Sequence, residues 1–398
     1  MTFAEMWAEL LPVGRDERTG GYRRYSWTEA DAACRAWFHR TSAALGMRAV
    51  CDPNGNLWSW WDAGSGPAVA TGSHLDSVPD GGAFDGPLGV VSAFAAVATL
   101  REQGFRPRRP VAVAAFTEEE GARFGVACLG SRLLTGAIEP SRARSLNDSD
   151  GIMLADAMSA AGLDPAAIGP DESLLARIGT YVELHVEQGS ALDELGAAVG
   201  VGSAIWPHGR WRLDFTGRAD HAGTTKLGDR RDPMLPFAAT ALAAREAAVG
   251  CGALATVGKV VAEPGGANAI CSAVRAWLDA RAPDEAILGR LVAQITAEAT
   301  AAAAQQSVSL EITRESFSPK VSFDPELRER MSRLLGAPVL PTGAGHDAGV
   351  LAGRVPAGML FVRNPSGISH SPAEQASAAD CAAGVSALAA VLADLAGQ

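Results

Sequence analysis

Apolar and polar positions alternate with two different periods along this chain. Ser26-Trp-Thr-Glu29 has the spacing of a capping box, in which hydroxyl and carboxylate satisfy free backbone amides, and it predicts a helix running to about Leu45. Asp52-Pro-Asn-Gly55 is a turn chemistry, and it separates expected strands at 47–51 and 56–61. A short apolar strand is expected at 67–72, a buried alanine-rich helix at 88–102 and a strand at 109–116. Residues 179–187 then alternate with period two. Val182, Leu184 and Val186 share one face, and Glu183, His185 and Glu187 share the other, as expected for a strand that walls a site.

The pattern changes near Trp206-Pro207. From there it reads strand 208–215, helix 233–249, strand 253–262, strand 273–281, helix 284–303 and strand 307–313, a βαββαβ unit. After Phe317-Ser-Pro319 the first pattern returns, with a strand at 357–362 and a final alanine-rich helix. The expected fold is therefore α/β: a mixed sheet flanked by helices, with a smaller α+β domain inserted into it. The expected boundaries are 1–206 and 319–398 for the larger domain and 207–318 for the inserted one.

A length of 398 residues suits two domains better than one core. The net charge of -11 leaves no basic stripe to neutralise phosphates, which argues against nucleic acid and anionic membranes. Six cysteines are scattered without any Cys-x-x-Cys spacing, so reduced thiols and a cytoplasmic setting are expected. The opening Met-Thr-Phe-Ala-Glu-Met-Trp lacks the basic start and apolar run of a signal peptide, and no apolar run is expected to span a bilayer.

Candidate chemistry concentrates in Thr71-Gly-Ser-His-Leu-Asp-Ser-Val-Pro-Asp-Gly-Gly-Ala-Phe-Asp-Gly86. It places His74 eleven positions before Asp85 across a glycine-rich turn, with Asp76 two residues after the histidine. Glu118-Glu-Glu120 follows the strand expected at 109–116, at its C-terminal end, where ligands gather in such sheets. Imidazole and carboxylates without thiolates are the donors of a site for hard or borderline divalent ions. Of seven histidines, His74, His185, His221 and His370 lie in glycine- or acid-rich turns and strand ends. Each alone reads as structural; with Asp85 and Glu120 they suggest two ions sharing about five ligands, with Asp85 as the bridge.

In order along nearly the whole chain, these blocks resemble the amidase, hydantoinase/carbamoylase family of the dinuclear aminoacylase and carboxypeptidase clan. The resemblance is carried by Gly72-Ser-His-Leu-Asp-Ser77, Gly82-Ala-Phe-Asp-Gly86, Glu118-Glu-Glu-Gly-Ala-Arg-Phe124 and Glu183-Leu-His-Val-Glu-Gln-Gly189. It continues in Ala219-Asp-His-Ala-Gly-Thr-Thr225, Gly265-Gly-Ala-Asn-Ala-Ile270, Gly345-His-Asp-Ala348 and Gly367-Ile-Ser-His-Ser-Pro372. It implies that His74, Asp85 and His185 hold one divalent ion and that Asp85, Glu120 and His370 hold the other, with Zn, Mn, Co or Ni all compatible. It implies Glu119 as general base and acid, and Asp76 as the acceptor that fixes the tautomer of His74. Glu119 and Glu120 are expected to diverge because neighbouring side chains on an extended segment point apart. Gln188, His221, Asn268 and Arg281 are the implied substrate residues, Arg281 as a fork for an α-carboxylate. The family pattern further implies a homodimer in which His221 reaches the partner's site, and an inserted domain that closes as a lid.

The implied reaction is hydrolysis of the ureido C–N bond of an N-carbamoyl-L-amino acid or an allantoate-like ureide. An N-formyl- or N-acyl-amino acid deacylase or a dipeptidase is the alternative on the same scaffold, and a non-catalytic binding protein is the alternative of another class. Three positions depart from the family pattern: Lys226, Cys271 and the pair Arg363-Asn364. The first two are expected to adjust turns. Arg363 is expected either to contact a second acidic group on the substrate or to face outward. His39 and His208 receive no role, His346 is expected behind the site, and Trp58-Ser-Trp-Trp61 is expected to pack within a strand.

Overall fold

A computed structural model describes residues 1–397, which divide into two compact units, 1–204 with 322–397 and Ile205–Val321. The larger unit is built on a nine-stranded mixed sheet. Its centre is four parallel strands in the spatial order Val111–Phe116, Ala68–His74, Ile178–Val186 and Ala357–Val362. Antiparallel strands Leu57–Trp61 and Val199–Ile205 flank these on either side. The central strands are buried on both faces, as parallel strands must be, and they read as Val-, Ala- and Leu-rich runs.

Helix Pro87–Glu102 packs against the sheet and is buried almost all round, as its alanine and valine content requires. It starts at Gly86 and has Pro87 in its first turn, where a missing N–H costs nothing. Helix Ala378–Ala396 packs on it. Contrary to the reading of the apolar runs, this last helix is long and apolar enough to cross a membrane; its most apolar stretch is 56% buried inside the unit, where it forms core. Helix Glu29–Ala44 begins two residues later than the capping-box reading required. Thr28 is the cap, accepting from the Asp31 amide, while the Asp31 carboxylate accepts the amide of Trp27.

Between strands Val111–Phe116 and Ile178–Val186 the chain makes short helices Leu129–Thr135, Pro140–Arg144, Leu154–Ala160 and Glu172–Ala176. They enclose a separate small core containing Phe124, Leu129, Leu133, Leu154 and Met158. None of these helices has the length or periodicity to be read from sequence.

In the smaller unit, four antiparallel strands stand in the order Ser309–Ser318, His208–Thr216, Ala273–Arg281, Leu254–Glu263. Trp211, Leu213 and Phe215 are buried in alternation with more exposed polar residues, and Val274, Ala276, Leu278 and Ala280 are buried in alternation with less buried neighbours. Helices Met234–Cys251 and Glu285–Gln305 complete its core through Ala244, Ala248, Leu291 and Ile295. All six cysteines are free thiols.

Candidate metal centre

The four parallel strands end on one side, and each delivers a piece of the site there. Ala68–His74 ends on His74 itself, and the turn after it carries Asp76 and Asp85. Val111–Phe116 leads into Glu118–Glu120, Ile178–Val186 carries His185, and the loop after Ala357–Val362 carries His370. The crevice at the C-terminal ends of parallel strands is where helices and loops leave room for a ligand.

Asp85 sits at the centre. Its Oδ1 lies 3.2 Å from His185 Nε2 and 3.5 Å from His74 Nε2, and its Oδ2 lies 3.4 Å from His370 Nε2. His370 Nε2 is also 3.6 Å from Glu120 Oε2. Two groups of donor atoms thus form around one carboxylate: His74, Asp85 and His185, and Asp85, Glu120 and His370, each with donors within 4.8 Å of one another. Glu119 shares a third such group with His74 and Glu120, and Glu183 and His346 share a fourth with His185.

These donors fit a pair of divalent cations by two observations. His74 Nε2, His185 Nε2 and Glu120 Oε1 are buried and carry no hydrogen bond. Such orphans are costly unless something else satisfies them. Carboxylates also crowd the same space. Burial pushes Glu119 and Glu120 well above the usual carboxylate range, and Asp85 adds to the effect on Glu120. Burial opposes ionisation of Asp85 too, but His185 and His74 outweigh it and hold Asp85 well below that range. Burial opposes protonation of His74; Glu119, Asp76 and Asp85 outweigh it and raise its pKa well above the ordinary value. Cations would replace those protons as counter-charge.

The surrounding shell explains the orientation of each donor. His74 Nδ1 faces the Asp76 carbonyl at 3.2 Å and its carboxylate at 3.4 Å, and His185 Nδ1 faces the Val186 carbonyl at 2.9 Å. Both rings therefore present Nε2 to the centre. The Asp76 carboxylate also accepts the main-chain N–H groups of Glu119 (3.2 Å) and Glu120 (3.0 Å), tying the acidic loop to the histidine turn. That loop is not extended, as the expectation for its diverging side chains required: Glu118 has φ 56, a left-handed turn. Glu118 faces away from the centre and accepts the amides of Arg123 and Phe124; burial raises its pKa to about 7. On strand Ile178–Val186 only His185 approaches Asp85. Glu183 accepts from Ser73 and the Ala348 amide, and Glu187 caps the short helix Ala191–Glu194.

Gln188 Nε2 donates to Asp85 Oδ2 at 2.9 Å and to Ser369 Oγ at 3.1 Å, placing it at the centre. His346 is buried with its ring centroid 4.6 Å from that of His185; burial, then His185, pushes its pKa well below the ordinary value. His221, Asn268 and Arg281 belong to the smaller unit. His221 pairs with Ala269 between two short strands, and Ala222 N–H donates to the Asn268 carbonyl, so those two loops lie side by side. Arg281 ends strand Ala273–Arg281 and pairs with Asp279 at 2.7 Å.

Arg363 lies on the loop that leads to His370. Its guanidinium pairs with Asp380 at 2.9 Å, in the first turn of helix Ala378–Ala396, and Asp380 is almost fully buried. Its charge is paired with the carboxylate at that helix N-terminus.

Glu374 is the residue that sequence reasoning missed. One carboxylate oxygen accepts the amides of Phe84 and Asp85, both at 2.9 Å, and the other accepts from Ser369 at 3.0 Å. It joins the Asp85 turn to the His370 loop. Its place at the end of the Ser-His-Ser-Pro-Ala-Glu stretch was the available signal. Gly82 makes room for it, since a Cβ there would lie 2.4 Å from its carboxylate.

The chain is similar to known proteins along nearly its whole length. Residues 70–394 match the model of peptidase family M20/M25/M40. An N-carbamoyl-L-amino acid amidohydrolase of Geobacillus stearothermophilus is 36% identical over 394 residues, 96% of each chain. An allantoate amidohydrolase of Escherichia coli K12 is 34% identical, covering 100% of this chain and 99% of that one. A hydantoinase/carbamoylase family amidase of Burkholderia ambifaria superposes with a TM-score of 0.85 at 31% identity, over 100% of this chain and 98% of its own. The chain belongs to peptidase family M20/M25/M40, among its hydantoinase/carbamoylase amidases.

Proposed function

We propose that this amidohydrolase cleaves the carbamoyl C–N bond of an N-carbamoyl-L-amino acid or an allantoate-like ureide. The observation that carries the reading is the pair of donor groups sharing Asp85, with orphaned imidazole nitrogens turned inward beside a buried Glu119. The relatives are named for action on N-carbamoyl-L-amino acids and allantoate, which supports the substrate class.

In this reading His74, Asp85 and His185 hold one divalent cation and Asp85, Glu120 and His370 the other; such ions supply Lewis acidity and a more acidic water. Glu119 would take a proton from the attacking water and later deliver it to the leaving nitrogen. Glu119 is buried beside His74, which keeps its carboxylate next to the donor cluster where the proton is exchanged. Asp76 keeps His74 in one tautomer. Gln188 orients Asp85 and leaves its Oε1 without a partner for a substrate N–H. Arg281 would receive the substrate carboxylate in exchange for part of its pairing with Asp279, and Asn268 and His221, on two loops that lie side by side, would assist. The chain works as a homodimer in this reading, with His221 serving the partner's site.

The test is a panel on protein stripped with chelator and reloaded with Zn, Mn, Co or Ni. It covers N-carbamoyl-L-amino acids, allantoate, N-formyl-glutamate and N-acetyl amino acids. Turnover of a ureide only after reloading is expected. Undiminished activity in fully stripped protein would sink the mechanism, and preference for the N-acyl compounds would move the substrate class.

A further inference from the structure

The loop that carries Glu119 is fastened along its length to the segment behind it. Gly130 N–H donates to the Thr117 carbonyl at 2.9 Å, Leu129 to Glu118 at 3.0 Å, and Cys128 to Glu119 at 2.6 Å. The last rung has an unusual occupant. Cys128 sits at φ 54, ψ 36, a left-handed conformation that costs a non-glycine residue about 1 kcal/mol or more. Glycine or asparagine would meet that backbone requirement more easily. In this conformation the thiol returns over its own rung, and Sγ lies 3.3 Å from Glu119 Oε1. The other oxygen, Oε2, faces His74 Nε2 at 3.7 Å. Both residues are buried, and burial, then Glu119, pushes the thiol pKa well above its ordinary value, so the sulfur remains a donor.

We propose that Cys128 is a positioning residue for the proton transfer: its main chain and its thiol together hold Glu119, so that Oε1 is occupied and Oε2 is the oxygen that faces the donor cluster. The proposal rests on the reading of Glu119 as base and acid. The physical reason is the two-fold torsion of a carboxylate, which is broad and leaves the two oxygens exchangeable unless one is pinned. A buried Cys is otherwise a small apolar filler. Here its sulfur meets the one carboxylate that must move a proton.

Three variants separate the thiol from the backbone. Cys128→Ala removes the donor. Cys128→Gly removes it and also relieves the left-handed backbone, so the variant folds even if strain limits the alanine form. Cys128→Ser keeps a donor in place. The probe is N-carbamoyl-L-alanine or allantoate, whichever is turned over faster by the metal-loaded enzyme. Metal affinity is measured separately by chelator competition.

The expected result for Ala and Gly is a kcat about tenfold lower, short of the hundredfold or more that general acid–base catalysis supplies in full. KM and metal affinity stay within about twofold, and Ser recovers kcat to within about threefold. Wild-type kcat in both Ala and Gly, a Ser variant as slow as Ala, or a parallel loss of metal affinity would each overturn the proposal. Glu119→Gln separates this from the underlying reading. If it loses kcat while the Cys128 variants do not, only the role of Cys128 falls; if it keeps wild-type kcat, the assignment of Glu119 itself is wrong.

Discussion

Replacing Gly86 with alanine tests the centre at a point where one methyl group reaches a donor. Gly86 has φ 83 and ψ -60, close to the strained γ-turn conformation, and it caps helix Pro87–Glu102. Alanine there costs on the order of 1–3 kcal/mol in backbone strain alone. The larger effect is steric. A Cβ on Gly86 would lie 2.4 Å from His74 Cε1, 2.5 Å from Nδ1 and 2.6 Å from Nε2, whereas ordinary contact begins at 3.4 Å. The imidazole must therefore withdraw by 3.4 − 2.4 = 1.0 Å. Metal–nitrogen distances tolerate only about 0.2 Å. The ring cannot hold both its place against Asp76 and its aim at the centre. Gly86→Ala is expected to weaken metal binding by about 100-fold or more, beyond the range of an outer-shell change. Metal content after dialysis against a buffered free-ion series, read by mass spectrometry, measures this. Gly104→Ala is the control, because Gly104 has φ 71 but nothing within 4 Å of its would-be Cβ. It should lose stability and bind metal normally. A Gly86→Ala protein that bound two ions with wild-type affinity would refute the placement of His74 against that glycine.

Glu374→Ala should release the Asp85 turn and lower metal affinity about 10–100-fold, with Glu374→Gln closer to wild type because its carbonyl still accepts the Phe84 and Asp85 amides. Chelator competition on both variants checks this; equal affinities would refute it. Arg363→Ala should leave kcat/KM unchanged, even on N-carbamoyl-glutamate, while lowering stability by about 1–3 kcal/mol, because buried Asp380 keeps Ser377 as a side-chain partner but loses its counter-charge. A selective loss on acidic substrates would restore a substrate role for Arg363. Asp52 gives a pH signature away from the centre, since burial raises its pKa to about 6 although Asn56, Trp58 and Asn54 donate to it. The folded state then binds a proton that the unfolded chain has lost between about pH 4 and 6. Its contribution is largest below that window and declines as pH rises through 6, so Asp52→Asn should flatten the wild-type decline in denaturant-unfolding free energy, whatever its effect on the level. Native-state alkylation should label Cys51, an exposed residue whose partly buried thiol is also pushed up by burial, faster than Cys34 and Cys381, whose thiols burial pushes up to about 11 and about 12.

Much of this protein is written locally. Alternation over 178–186, the alanine-rich stretch of 87–102 and the βαββαβ run after Trp206 each reflect one element facing one core, and short-range periodicity reports that directly. The donors were legible for a similar reason, since His74, Asp85, Glu120, His185 and His370 each stand at a strand end or turn with little structural purpose of their own. The tertiary structure decided how those donors are held and which neighbours are bystanders. Glu374 grips the Asp85 amide across 289 residues of chain, Ser131 reaches Asp347 across 216, and Arg363, seven residues from His370, turns instead to Asp380. The left-handed turns at Glu118, next to Glu119, and at Cys128, hydrogen-bonded to it, do not follow from residue propensity. Sequence spacing carries the period of an element, whereas partners brought together by the sheet carry no period at all; they exist only once the strands are side by side.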